Sequence, residues 1–160
     1  AGYDVEVLDA GISGDTTAGG RSRLDWSLAD SPDAVIVGLG GNDGLRAVDP
    51  DVTYDNLNAI VERLTSEGLP VLLAGMQAPP NLGREYGDRF FGAYLRVADE
   101  YDVVFYPFLL DGVAGDPTLN QDDRIHPNPD GVNVMVEKIL PFAERLIQRV
   151  QEARSRDTAS

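Results

Sequence analysis

Short apolar runs alternate along this chain with longer stretches of helical period. The runs are residues 5–8, 34–39, 71–74 and 103–106. The second and third are almost wholly apolar, the pattern of strands buried on both faces. A polar turn over 11–17 leads into a helix predicted across 21–28. Leu57, Ile60, Val61 and Leu64 recur at i, i+3, i+4 and i+7, which predicts an amphipathic helix. Asp51 or Thr53 suits its start, and Gly68 suits the left-handed position at its end. Phe90, Phe91, Tyr94, Leu95 and Ala98 mark a third helix. A last helix is predicted over 132–150, with Val136, Ile139, Ala143, Ile147 and Val150 on one face. Pro141 should kink or loosen it, because proline has no N–H to donate. Residues 112–130 have no period and read as loop, and the polar residues beyond Gln151 read as a frayed tail.

The order is thus β-α-β-α-β-α-β-loop-α. With right-handed crossovers it makes an open parallel sheet with helices on both faces. Ligands of such sheets sit beyond the carboxyl ends of the strands. The polar segments 11–17, 40–46 and 76–86 fall there.

Composition narrows the chemistry. The 160 residues suit one domain. A net charge of −14 argues against general binding to nucleic acid or anionic lipid. The charge is carried by 19 Asp and 8 Glu against 12 Arg and one Lys. That balance fits a salt-adapted surface or codon bias equally. Cysteine is absent, which removes disulfides, thiolate metal sites and a cysteine nucleophile. With one histidine, His126, a multi-histidine zinc site is excluded. No apolar run reaches the ~20 residues of a membrane span, and the sequence opens on no charged-then-apolar leader.

Three stretches hold candidate chemistry. In Asp123-Arg124-Ile125-His126, the Asp carboxylate can reach the imidazole Nδ1–H, fix the tautomer and support the imidazolium. The same spacing also suits a solvated surface pair. Asn42 follows an apolar run through Gly40 and Gly41, where its amide can donate to a developing oxyanion or simply complete a turn. Gly14 can present a backbone N–H at a helix start that Asp15 or Thr16 caps.

Taken in order, Gly-Ile-Ser-Gly-Asp-Thr (11–16), Leu-Gly-Gly-Asn-Asp-Gly-Leu-Arg (39–46) and Gln-Asp-Asp-Arg-Ile-His-Pro-Asn (121–128) resemble the SGNH (GDSL-type) hydrolases. The similarity is greatest to the bacterial acyl-CoA thioesterase I, lysophospholipase and arylesterase branch. It implies a flavodoxin-like three-layer αβα sandwich with a parallel sheet over residues 1–150. It also implies ester hydrolysis without cofactor or metal, on a small-molecule acyl ester or thioester. His126 would be the general base and Asp123 its partner. Gly14 and Asn42 would form the oxyanion hole. Leu45 and Arg46 would belong to a mobile loop over the acyl site, and 76–86 would shape the acyl groove. The resemblance slightly favours a periplasmic or secreted location.

One departure matters. The family's first block, Gly-Asp-Ser-Leu after a first strand, has no counterpart here. Of Ser13, Ser22, Ser27, Ser31, Ser66, Ser155 and Ser160, none stands where that nucleophile belongs. The expectation is a catalytic serine outside this chain and a sheet without its central first strand. The resulting slot would be filled by an omitted segment, another chain or a swapped copy, and this sequence alone would not fold stably. A non-catalytic ligand-binding relative is the alternative. A receiver-like domain shares the strand order but needs a lysine at its acidic pocket, and the only lysine, Lys138, lies in the last helix.

Overall fold

In the structure, a computed structural model that describes residues 2–157, three of the four apolar runs become strands. They are β1 (Val35–Val37), β2 (Val71–Ala74) and β3 (Val104–Tyr106), paired in parallel in the order β1-β2-β3. Val35 lies beside Val71, and Leu72 beside Val104. Between them run α1 (Thr17–Ser22), α2 (Leu24–Ser27), α3 (Gly41–Leu45), α4 (Pro50–Ser66), a 3-10 turn (Pro80–Leu82) and α5 (Arg84–Glu100). The last helix is α6 (Pro129–Asp157).

Alternation along the strands sorts their side chains to two faces. Val37, Val71 and Leu73 face α4 and α5, meeting Leu57, Ile60, Val61 and Leu64 from the first and Phe90, Tyr94 and Val97 from the second. Most of these side chains have no exposed surface. Each contributes about 1.5–3 kcal/mol by leaving water. Leu72, Val104 and Tyr106 face the other way and meet Ile139, Phe142 and Leu146 of α6. The molecule is therefore an α/β fold with a parallel sheet between helical layers.

Several expectations need correction. Residues 5–8 form no strand, and Val5, Val7 and Leu8 are 56%, 85% and 47% exposed. An extended segment gains nothing from ordering until its N–H and C=O groups have a ladder. The outer edge of β1 supplies none to it. Nor is the second run buried on both faces, for Ile36 is 54% exposed. Helix α6 packs on β2 and β3, which leaves the β1 end of that face bare.

Helix boundaries also move. The helix expected across 21–28 is instead α1 and α2, divided at Arg23. Asp49, rather than Asp51 or Thr53, caps α4: its carboxylate accepts from the Asp51 N–H, and Pro50 fills the first helical position. Gly68 does adopt φ 78°. Helix α6 starts inside the expected loop, continues through Pro141, and carries residues 151–157 as helix rather than a frayed tail. Arg154, 2.6 Å from Asp33, ties this end to the body. Its packed side is Ile139, Phe142 and Leu146, whereas Val136, expected to share that side, is 53% exposed beside Val132 and Leu140. Residues 158–160 lie outside the described residues.

Candidate active site

Since all three strands are parallel, their carboxyl ends share one edge. Asn42 follows β1 and Asp123 and His126 follow β3, whereas Gly14 precedes α1 and follows no strand. Strand β1 runs through Gly38 and Leu39 into α3. Gly40 takes φ 101°, and a Cβ there would lie 1.9 Å from the Tyr94 hydroxyl oxygen, so only glycine fits. Tyr94 donates that hydroxyl to the Leu39 carbonyl at 2.9 Å. Burial pushes its ionisation far above the usual phenol range. Asn42 therefore stands in the first turn of a short helix rather than in a loop, which the glycine-rich sequence did not reveal.

Gly14 lies in a β-turn closed by Asp15 N–H to the Ile12 carbonyl at 3.2 Å, with φ 78° at its third position. Side chains of α3 and of Arg46, which follows it, hold this turn and the start of α1. Asn42 Nδ2 donates to the Asp15 carbonyl at 2.9 Å, and Arg46 Nη2 to the Gly14 carbonyl at 3.0 Å. Asp43 Oδ2 accepts from the Thr17 N–H at 2.9 Å. Asn42 keeps a second N–H for a ligand. Thr16 is the helix cap, its hydroxyl oxygen accepting from the Gly19 N–H at 3.2 Å. Asp15 instead pairs with Arg23 at 2.6 Å.

Asp123 and His126 lie in the segment that joins β3 to α6. The isolated bridge Asn120–Pro127 and the Gln121 N–H to His126 carbonyl bond, 2.8 Å, fold it into a tight loop. Buried Asn120 donates to the carbonyls of Val113 and Asp116, both at 2.7 Å. Within the loop, Asp123 Oδ1 accepts from the N–H groups of Ile125 at 2.9 Å and His126 at 3.0 Å. Its Oδ2 lies 2.7 Å from His126 Nδ1. The imidazole bond first, and these backbone N–H groups after it, hold the Asp123 carboxyl down at about 2. Arg124 takes φ 58° so that the chain can turn back on Asp123, a left-handed non-glycine residue that sequence reading missed. The arrangement is chemically suited to general-base work: Nδ1 is engaged by a carboxylate and Nε2 is left to take a proton.

Gly14 and Asn42 thus form one hydrogen-bonded group, and Asp123 and His126 another. No hydrogen bond joins the two groups among the described residues. Leu45 ends α3 and is 48% exposed, while Arg46 is held on the Gly14 carbonyl. The segment expected as a loop over 76–86 is loop only in part, since Pro80–Leu82 is a 3-10 turn and α5 begins at Arg84. It borders α3, where a Cβ on Gly41 would lie 2.9 Å from Met76 Cε and one on Gly44 3.6 Å from Pro79. A cavity of about 470 Å³ opens between that segment and the start of α5, lined by residues that include Gln77, Ala78, Arg84 and Phe91. No group of three His, Asp or Glu side chains is placed to hold a metal among the described residues, and none of their helices is long and apolar enough to cross a membrane.

The sequence profile of the GDSL-like lipase/acylhydrolase family matches residues 1–134. The chain belongs to that family. Among relatives of this GDSL-like family, Esterase TesA of Pseudomonas aeruginosa is 41% identical over 147 residues, 91% of this chain and 73% of its own length. The arylesterase of Vibrio mimicus is 38% identical over 130 residues, 81% of this chain. The chain spans only 65% of that arylesterase. The crystal structure of TesA superposes with a TM-score of 0.86 at 41% identity, covering 91% of this chain and 81% of that one. AlinE4, an SGNH-hydrolase family esterase, superposes with a TM-score of 0.73 at 41% identity over 90% of this chain and 78% of its own, so the architecture is that of the SGNH hydrolases.

Proposed function

We propose that this chain is the greater part of a serine ester hydrolase of the esterase, thioesterase or lysophospholipase type. The observation that carries the proposal is the 2.7 Å contact of Asp123 Oδ2 with His126 Nδ1. The esterase names of the relatives support it. The nucleophilic serine comes from outside this chain. His126 Nε2 takes the serine proton as the serine oxygen attacks the carbonyl carbon of an acyl ester or thioester. The Gly14 N–H, the Asn42 amide and the serine's own N–H donate to the oxyanion. His126 then protonates the leaving alcohol or thiol, and water releases the acyl group by the reverse sequence. Asp123 stays ionised throughout and holds the imidazole.

The segment that brings the serine adds a strand at the open edge of β1 and a helix beside α6. Two features support that placement. Ile36 is more than half exposed on the sheet face that α6 covers elsewhere. Val132, Val136 and Leu140 form an uncovered stripe along α6 at a spacing of four residues. The segment can belong to the same protein, to another chain or to a swapped copy.

The test is His126→Ala in the serine-bearing protein, assayed on a short-chain aryl ester. Turnover should fall by roughly 10⁴-fold or more. Retained turnover overturns the assignment. A parent protein that binds acyl esters but hydrolyses none overturns it in favour of a non-catalytic binding relative.

A further inference from the structure

We propose that Asp43 is the positioning residue of the oxyanion hole, fixing the Gly14 turn and the Asn42 helix at one separation. The proposal rests on the function proposed above. Asp43 directly follows Asn42 in the first turn of α3, and it is 1% exposed. No basic side chain pairs with it among the described residues. A carboxylate in that position is costly unless donors surround it. The donors are specific. Thr17 gives both its N–H, at 2.9 Å, and its hydroxyl. The Thr53 hydroxyl stands 3.5 Å away. Thr17 Oγ1 accepts in turn from Asn56 Nδ2 at 3.3 Å, and Asn56 Oδ1 from Arg21 at 3.3 Å.

The groups that hydrogen-bond the carboxylate, the Thr17 N–H and the Thr17 and Thr53 hydroxyls, can all donate, so two acceptor oxygens match them better than the mixed donor and acceptor of an amide. Thr17 lies three residues after Gly14, and Asp43 one after Asn42. Holding Thr17 by two bonds therefore holds the two proposed oxyanion donors. The other links between these segments, from Asn42 and from Arg46, are partly buried or exposed to water. The Asp43 link is the buried one, and water does not compete with it. An oxyanion hole stabilises charge only if its donors are placed before the charge develops.

In the serine-bearing protein, Asp43→Ala should lower kcat about 10–100-fold with KM within about threefold, since misplaced donors weaken the transition state rather than ester binding. Asp43→Asn should recover part of the loss, because one acceptor oxygen remains for the Thr17 N–H. The pH profile should keep its shape, because Asp123 and His126 are untouched. Independently of turnover, the amide signals of Gly14 and the Asn42 side chain should shift in the ¹H–¹⁵N spectrum while those of His126 stay in place. Thr17→Val, which removes only the hydroxyl, serves if Asp43→Ala does not fold, and it should move the same signals. Unmoved Gly14 and Asn42 signals overturn the proposal, as does a loss confined to KM or to the folded fraction. If the parent hydrolyses no ester and the signals still move, the proposed function fails and the role of Asp43 stands.

Discussion

The two halves of the candidate site are built in opposite ways. Gly14 and Asn42 come from segments 28 residues apart, and the core joins them. Tyr94 from α5 holds Leu39, Asp43 reaches Thr17 at the start of α1, and Thr53 and Asn56 come from α4. Asp123 and His126 are three residues apart in an exposed loop. That half needs no distant element: one carboxylate takes two backbone N–H groups and the imidazole. The difference is physical. A pair of donors aimed at a developing charge must be rigid, and rigidity comes from tertiary contacts. An acid–base pair needs a short, tautomer-fixing bond, and a tight loop can supply one alone. Damage to the first half should therefore cost stability and activity together, whereas damage to the second should cost activity alone.

The strongest test of that contrast is Asp123→Asn in the serine-bearing protein. It keeps the shape of the side chain and removes the charge that fixes the tautomer. Turnover should fall on the order of 10⁴-fold. The melting temperature should stay within about 2 °C, because Asp123 is exposed and its contacts are local. A large loss of stability would break the contrast. The pH dependence follows from the same carboxyl. Its folded value, about 2, lies below the ordinary 3.8. Its contribution to stability, small because water screens an exposed group, is therefore complete above pH 3.8 and is lost as pH falls through about 2. An Asp123 carboxyl carbon followed by NMR should titrate near 2, and an acid limb of activity at higher pH must come from another group.

Gly40→Ala attacks the other half through the core. The left-handed backbone and the lost Tyr94–Leu39 bond together should cost on the order of 3 kcal/mol of stability. At this chain length that is a fall of roughly 6–12 °C in melting temperature. Turnover per folded molecule should fall too, since Asn42 starts two residues later. Thermal unfolding and single-temperature kinetics on the same preparation check both. Lost stability with unchanged turnover would show that Asn42 is not held through Gly40.

The same contrast explains what the sequence made legible. Asp123 and His126 are close enough in sequence that their spacing allowed a contact as well as a solvated pair, and the structure shows the contact. The amphipathic period of α4 and α5 declared the covered face of the sheet. The stitching of Gly14 to Asn42 was not legible, since it depends on Asp43, Thr17 and Asn56, three polar residues whose burial only the fold decides. Nor was the fate of residues 5–8: Val5 and Val7 have strand propensity, but a strand forms only against an edge. Ile36 misled for a related reason. An apolar residue shows that a face can be buried, and only the packing of α6 shows which end of it is.

The smallest effect falls within the exposed loop. Arg124 at φ 58° pays roughly 1 kcal/mol for the left-handed backbone that brings Asp123 back onto the Ile125 and His126 N–H groups. Arg124→Gly removes that strain and adds freedom to the unfolded chain, so the two effects partly offset. The net gain should be roughly 0.5 kcal/mol, a rise of about 1–2 °C in melting temperature. The Arg124 N–H bond to the Gln121 carbonyl, at 2.8 Å, survives the change because it belongs to the backbone. The Asp123–His126 contact should survive with it, and turnover should stay within about twofold. If turnover falls while stability rises, the Arg124 side chain or its restricted backbone is itself part of what aims His126. The acid–base half would then be less local than its geometry implies.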